Sequence, residues 1–326
     1  MDKRKRKFAS ESTDTSTGLS TSTGVATRDE EVPLIDDTLL LFHQVAGHRQ
    51  GRGKTKLGLL LHVDGSILKP MAPGDGRSMC EYDFYVMISD HHKTCHVDIN
   101  VNREACEDPV VHELVHITPA YLGQFNLQTF AQGQDGLCVP YIKLVDLTRS
   151  FELPCISDIK IGCITYDAPG ATLEKVRERE SKYLPAKKTG YQILGMRIYV
   201  GDKPERIGNE YCALLTEHNI DQGVKRFMST NPECTQLIID DLERIHRWFL
   251  GQKRFSFFGS SVLIVYEAKR CRALAKMIDF AHVHELKRAD EDFIYGLENL
   301  IKHFRQCIPT RPSSPWRQYA LRGRHI

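Results

Sequence analysis

Three separated stretches, each bearing a carboxylate, point to one site suited to phosphate chemistry. The first is Pro154-Cys155-Ile156-Ser157-Asp158-Ile159-Lys160-Ile161-Gly162. On a strand, residues two apart share a face, so Asp158, Lys160 and Gly162 fall on one side while Ile159 and Ile161 turn inward. A carboxylate beside a lysine, over a glycine, offers an acceptor for sugar hydroxyls, a donor for phosphate and room for close approach. Taken alone, an alternating Asp/Lys strand is more often a solvated face. The second stretch, Ser260-Ser261-Val262-Leu263-Ile264-Val265-Tyr266-Glu267, reads as a buried strand. The third, Met277-Ile278-Asp279-Phe280-Ala281-His282, is an apolar strand that delivers an aspartate at its end. A lone carboxylate so placed suits Mg2+, which takes one or two carboxylates plus substrate phosphates.

Two other motifs point to different chemistry. Residues 47–55 resemble a phosphate-binding loop, but the spacing needs glycine where the chain has His48, and no buried strand precedes the run. His112-Glu113-Leu114-Val115-His116 fits the HExxH pattern of zinc proteases, with both histidines on one face of an expected helix. Pro119 cuts that helix short and no third ligand stands at a known spacing, so an ordinary packing helix is the preferred reading.

The elements that must position these residues can be read in outline. Residues 57–69 and 82–97 are rich in short apolar, β-branched and aromatic runs and suggest a small antiparallel sheet. A helix is expected at 108–117, opening at Asp108-Pro109, and a strand at 138–147. Beyond 150 the pattern predicts a strand at 156–161, a charged helix near 172–183 and a helix around 237–250. Strands at 261–267 and 276–281 follow. A helix at 290–305 carries Phe293, Ile294, Leu297, Leu300, Ile301 and Phe304 at helical spacing. Residues 1–32 are a basic and Ser/Thr-rich tail and 309–326 a second tail. The basic run at 3–7 could be a nuclear address, which leads to an expected nuclear and cytoplasmic location. Ten cysteines with no CxxC pair argue for free thiols, against a disulfide framework or a cysteine zinc site. A net charge of +2 excludes an overall polycation, and no apolar run is long enough to span a bilayer. Neither stable nucleic-acid binding nor a transmembrane segment is expected, and the chain is expected to be a monomer.

Together PxxxDxKxG, SSxLxxYE and IDFAH resemble the signature set of the inositol polyphosphate kinase family, most closely its multikinase branch. The resemblance covers about residues 40–306. It takes in His43-Gln44-Val45-Ala46-Gly47-His48, Ile67-Leu68-Lys69 and Leu194-Gly195-Met196-Arg197-Ile198-Tyr199. It implies an α+β, two-lobed fold similar to that of protein kinases. A β-rich N-lobe would span 33–148 and a larger α+β C-lobe 149–308, with a helical inositol-binding segment at about 165–190. No HRD-type loop or GxGxxG loop occurs, which sets the chain apart from ordinary protein kinases.

The resemblance also implies an ATP- and Mg2+-dependent kinase acting on soluble inositol polyphosphates, from the trisphosphate to the tetrakis- and pentakisphosphate. Lys69 would contact ATP phosphates, with Glu81 as its partner and Asp83 as a second candidate. Asp146 and Leu147 match the hinge that meets adenine, although Val145 stands where relatives often have Glu. Asp158 would hold the ribose, Asp279 the Mg2+, and Lys160 the transferred phosphate. Lys175, Arg179 and Lys182, at i, i+4 and i+7 of the charged helix, would form a cationic face for the substrate, with Arg77, His282 and Asn209 as further matches. Only about ten residues join Glu267 to Ile278, where relatives often carry a long insertion. A phosphoinositide head group is chemically close to these substrates. The alternatives are a trisphosphate or hexakisphosphate kinase of the same family, or a noncatalytic scaffold.

Overall fold

In the computed structural model several of the short apolar runs between Asp37 and Val145 pair as strands. The model describes residues 37–41, 43–45, 57–72, 74–129, 137–167, 169 and 171–310. The tail at 1–32, the loop-like run at 47–55 with His48, and the tail beyond 310 lie outside the described residues. So do the side chains of Lys175, Arg179, Glu180 and Lys182.

The first part of the chain contributes β1 (Thr38–Leu40), β2 (Leu60–His62), β3 (Ser66–Pro70), α1 (Gly76–Thr94), α2 (Pro109–Leu114), β4 (Tyr121–Thr129) and β5 (Leu137–Val145). The strands form an antiparallel sheet in the order β1-β2-β3-β5-β4. The β2–β3 hairpin turns at Asp64-Gly65, where Gly65 has φ 83° and the Asp64 carboxylate accepts from the Ser66 N–H. Leu60, Leu68, Leu127, Val139 and Tyr141 pack together as a small core of this sheet.

Residues 82–97, expected as part of the sheet, are mostly helix. The aromatic and β-branched content suggested strand, but the buried residues Glu81, Phe84, Tyr85 and Ile88 recur at i, i+3, i+4 and i+7. That stripe packs on Phe255, Phe257 and Phe280, and Asp75 caps the helix by accepting from the Arg77 N–H. Tertiary packing of a 3.6-residue period decided the conformation, not residue propensity. Helix α2 starts where Asp108-Pro109 predicted, with the Asp108 side chain accepting from the Val111 N–H, but it ends at Leu114. His116 therefore lies beyond the helix.

The second part contains β6 (Pro154–Ile161), α3 (Leu173–Lys182), α4 (Ala186–Thr189), β7 (Tyr191–Val200) and β8 (Lys203–Ile207). It continues with α5 (Asn209–Cys212), α6 (Ile220–Met228), α7 (Thr235–Gly251), β9 (Phe255–Phe257), β10 (Ser261–Glu267), β11 (Ala273–Ile278), β12 (Val283–Glu285) and α8 (Glu291–Arg305). Its main sheet is antiparallel in the order β11-β10-β6-β7-β8, and β9 pairs with β12. The short β10–β11 connection is a hairpin, with Tyr266 opposite Ala273 and Ser261 opposite Ile278.

Helices α7 and α8 carry the apolar stripes their periodicity predicted, and Phe249 stacks on Phe293 at 4.2 Å. A Cβ at Gly296 of α8 would stand 2.1 Å from the Gly190 carbonyl, so only glycine lets α8 reach the sheet this closely. No helix among the described residues is long and apolar enough to cross a membrane.

Candidate active site

Lys69 leaves β3 beside the second turns of α1 and donates to the Glu81 carboxylate at 2.8 Å and to the Asp279 carboxylate at 2.5 Å. Asp83, the alternative partner, is exposed one helical face away. Burial disfavours the Lys69 ammonium, but the charges of Asp279 and Glu81 outweigh it and hold the amine firmly protonated. Burial raises the Glu81 carboxyl, partly offset by Lys69. For Asp279 burial pushes upward, while Lys69, with help from Lys160, pulls the carboxyl below its ordinary value. Asp279 is thus an ionised carboxylate, 40% exposed, beside a lysine 24% exposed.

Asp279 follows β11 directly and adopts φ 66°, a left-handed conformation that aspartate tolerates better than most residues. The expected strand to 281 stops at Ile278, because this corner turns the chain out of the sheet. The Ser260 hydroxyl donates to the Asp279 carbonyl at 2.6 Å, and fully buried Phe280 packs between Phe84 and Tyr85 of α1. The SSxLxxYE strand therefore supports the site more than it lines it. Ser260 fixes the aspartate corner, Tyr266 donates to the Phe227 carbonyl, and Glu267 accepts from the Glu152 and Leu153 N–H groups.

Strand β6 sits in mid-sheet between β10 and β7, with Ile159 and Ile161 in the core as expected. Asp158 is 6% exposed, and its Oδ1 has no hydrogen-bond partner. Burial and the nearby Asp279 charge push its carboxyl up to about 7. A bulge between Asp158 and Ile159, opposite Gly195, re-aims the strand here. The room expected over Gly162 is taken: a Cβ there would stand 2.8 Å from Asp292 Oδ2. Asp292 instead accepts from the Cys163 and Ile164 N–H groups at 2.8 and 3.0 Å, and Gly162 itself has φ 101°. That glycine makes a corner; the space near Lys160 comes from Gly259, where a Cβ would lie 3.9 Å from Lys160 Nζ.

These residues face one cavity of about 500 Å³. Lys69, Glu81, Asp158, Lys160 and Asp279 line it, as do Asp146, Leu147, Arg77 and His282. Its apolar wall comes from Val45, Ile67, Leu144, Leu147, Ile156 and Leu263. The Asp146 carboxylate is occupied locally, accepting from the Thr148 N–H and hydroxyl at 2.8 Å each. Arg77, exposed at the cavity mouth, forms a two-bond pair with Asp75 at 2.8 Å each. His282 lies 3.7 Å from Asp167, which also meets His284 at 2.8 Å.

The structure does not bring Asn209 to the cavity; it is exposed at the start of α5, against β7 and β8. Helix α3 forms where predicted and carries Lys175, Arg179 and Lys182 in its sequence, but their side chains are outside the described part. Sequence reasoning missed Asp75, Asp167, Ser260 as a brace, and Asp292. Asp75 left a signal as a capping residue before α1, and Ser260 stood in the second motif stretch.

A cleft between an antiparallel sheet and a larger α+β part, with Lys–Glu from one and Asp from the other, defines a two-lobed, kinase-like fold. The model of the family "Inositol polyphosphate kinase" matches residues 141–305, and the chain belongs to that family. It is 34% identical over 252 residues to an inositol polyphosphate multikinase of Mus musculus, covering 76% of this chain and 58% of the relative. To the Homo sapiens inositol polyphosphate multikinase it is 36% identical over 245 residues, 73% of this chain and 53% of the relative. The chain thus spans little more than half the length of these two relatives. A solved inositol phosphate multikinase from S. cerevisiae, in complex with ADP and Mn2+, shares the fold at TM-score 0.54 and 21% identity. That match covers 74% of this chain and 98% of the yeast one.

Proposed function

We propose that this chain is an ATP- and divalent-metal-dependent kinase that phosphorylates hydroxyls of soluble inositol polyphosphates, carrying the trisphosphate to the tetrakis- and pentakisphosphate. The observation that carries this reading is the convergence of Lys69–Glu81, ionised Asp279 and the unpartnered Asp158 Oδ1 on one cavity. Family membership and the ADP- and Mn2+-bound yeast structure support it.

The donor set fits the groups proposed. A buried carboxylate oxygen without a partner is costly unless a ligand donor completes it, and nucleotide ribose hydroxyls are such donors. A single hard, ionised carboxylate beside a phosphate site suits Mg2+, which when bound would neutralise charge on the transferring phosphoryl group. Glu81 orients Lys69 toward the same phosphates, while the apolar wall accepts an adenine ring. Lys160, one strand step from Asp158, is placed to neutralise the transferred group and position the attacking hydroxyl. Positioning and charge neutralisation are the main tasks in phosphoryl transfer. Arg77, His282 and the α3 cations Lys175, Arg179 and Lys182 would hold the substrate phosphates, with Asp75 and Asp167 keeping Arg77 and His282 oriented in their absence.

The test is direct. Purified chain, ATP, Mg2+ and an inositol trisphosphate should give more highly phosphorylated products on ion-exchange chromatography, none of them without metal. A parallel reaction with a phosphoinositide in vesicles asks whether the lipid-borne head group is also accepted. Absence of transfer to every soluble inositol phosphate offered would overturn the assignment.

A further inference from the structure

The cysteine spacing argued against a zinc site, yet the fold gathers residues that the spacing keeps apart. His91 and Cys95 stand at i and i+4 where α1 ends, Cys106 closes the irregular segment that follows, and His112 projects from α2. Their ligand atoms all lie within 4.8 Å of one another. Cys106 Sγ is 3.5 Å from Cys95 Sγ, 3.4 Å from His91 Nε2 and 3.7 Å from His112 Nδ1. With Zn–S near 2.3 Å and Zn–N near 2.05 Å, the edges of a tetrahedron should measure about 3.4–3.8 Å. The three separations fall in that range. The two sulfurs stand well beyond the roughly 2 Å of a disulfide bond.

We propose that His91, Cys95, Cys106 and His112 form a structural Cys2His2 zinc site. It staples the segment between α1 and α2 to both helices.

The segment itself supplies an independent reason. From 96 to 107 the only buried residue is Cys106, and Val101 is 83% exposed. A stretch with so little apolar burial has little to offset the entropy of ordering its backbone. Local turns help, such as the Asn100 N–H on the Asp98 carboxylate, but they do not anchor the segment to the core. Soft thiolates with imidazoles select zinc over the hard cations proposed for the cavity. Four protein ligands close the coordination shell, as in structural rather than catalytic sites.

The same geometry disposes of the HExxH reading. His112 turns to the two cysteines, Glu113 pairs with Arg103, and the His116 carbonyl accepts from Lys276. From Glu81 to His91 is about 15 Å along the axis of α1 at 1.5 Å per residue. The zinc would therefore clamp the far end of the helix that orients Lys69, without touching the phosphate chemistry.

The test uses the whole chain and needs no kinase activity. Protein produced with zinc and dialysed against metal-free buffer should retain one zinc per chain by elemental analysis. Cobalt(II) in its place should give the intense visible bands of a tetrahedral thiolate site. Cys106→Ser and His91→Ala should lose the zinc, and His116→Ala should keep it. Should the cysteine variant not fold, the wild type still decides: zinc should protect Cys95 and Cys106 from alkylation while exposed Cys138 and Cys271 react. Zinc at background after loading, no protection of the two thiols, or a Cys95–Cys106 disulfide in non-reducing peptide maps would each overturn the proposal.

Discussion

Strand β6 leaves the central sheet at Gly162 with φ 101°, and strand β11 leaves it at Asp279 with φ 66°. Both corners are left-handed and both follow the last residue of their strand. At Gly162 every neighbour is already used: its N–H donates to the Gly190 carbonyl at 2.7 Å, and the Asp292 carboxylate fills the space a side chain would need. At Asp279 the backbone is tied by Ser260, while the carboxylate accepts from Lys69 and faces the cavity. One corner is closed by packing and the other is left open for chemistry. Two motif residues with the same backbone conformation therefore carry different burdens, and mutation should separate activity from stability.

The largest effect is expected at the open corner. Asp279→Asn keeps the shape and the tolerance for positive φ but removes the charge proposed to hold the metal. Its kcat should fall about 10³-fold, roughly 4 kcal/mol, with little change in thermal midpoint. Turnover within a factor of two of wild type would break the contrast.

Next to it, Phe280→Ala should cost about 3–5 kcal/mol of stability, the usual cost of emptying a fully buried aromatic site. Denaturant unfolding measures this directly. A loss of activity without a loss of stability would mean that Phe280 acts on the site and not on the core.

At the closed corner, Gly162→Ala forces both a strained φ and a contact with Asp292. It should cost about 1–3 kcal/mol in stability, while turnover per folded molecule stays near wild type. A variant that is stable but inactive would place this corner in the chemistry after all.

The smallest effect concerns pH. Asp158 has its carboxyl raised from the ordinary 3.8 to about 7, so the folded chain binds a proton that the unfolded chain has released. Its contribution to stability should fall as pH rises from about 4 to about 7 and stay constant above that. In nucleotide-free protein, Asp158→Asn should therefore raise the melting midpoint at pH 8 and change it little below pH 4. An equal shift at both pH values in differential scanning fluorimetry would contradict the burial argument.

Much of this was legible in the chain. The alternation Asp158-Ile159-Lys160-Ile161 fixed which side chains share a face, and Asp279 at the end of an apolar run was recognisable as a carboxylate delivered to a cleft. The stripe of Phe293, Leu297, Leu300 and Phe304 gave α8, because a 3.6-residue period is a local property that survives without knowledge of the partner surface. Helix α1 was misread because its aromatic content mimicked strand, and only its packing on Phe255, Phe257 and Phe280 selects the helical period.

What the sequence determined by itself was the set of elements with a strong period or a clear cap, and the kinds of chemistry their side chains could perform. The pairing of those side chains was decided by tertiary structure. Lys69 and Asp279 are 210 residues apart and meet only because β3 and β11 face one cleft. Asp292 fills the space over Gly162 from another helix, and Cys106 finds His91 and His112 only after α1 and α2 have docked. Local propensity acts over a few residues, whereas the separation of charges, the room beside a glycine and the edges of a tetrahedron are set by packing between distant segments.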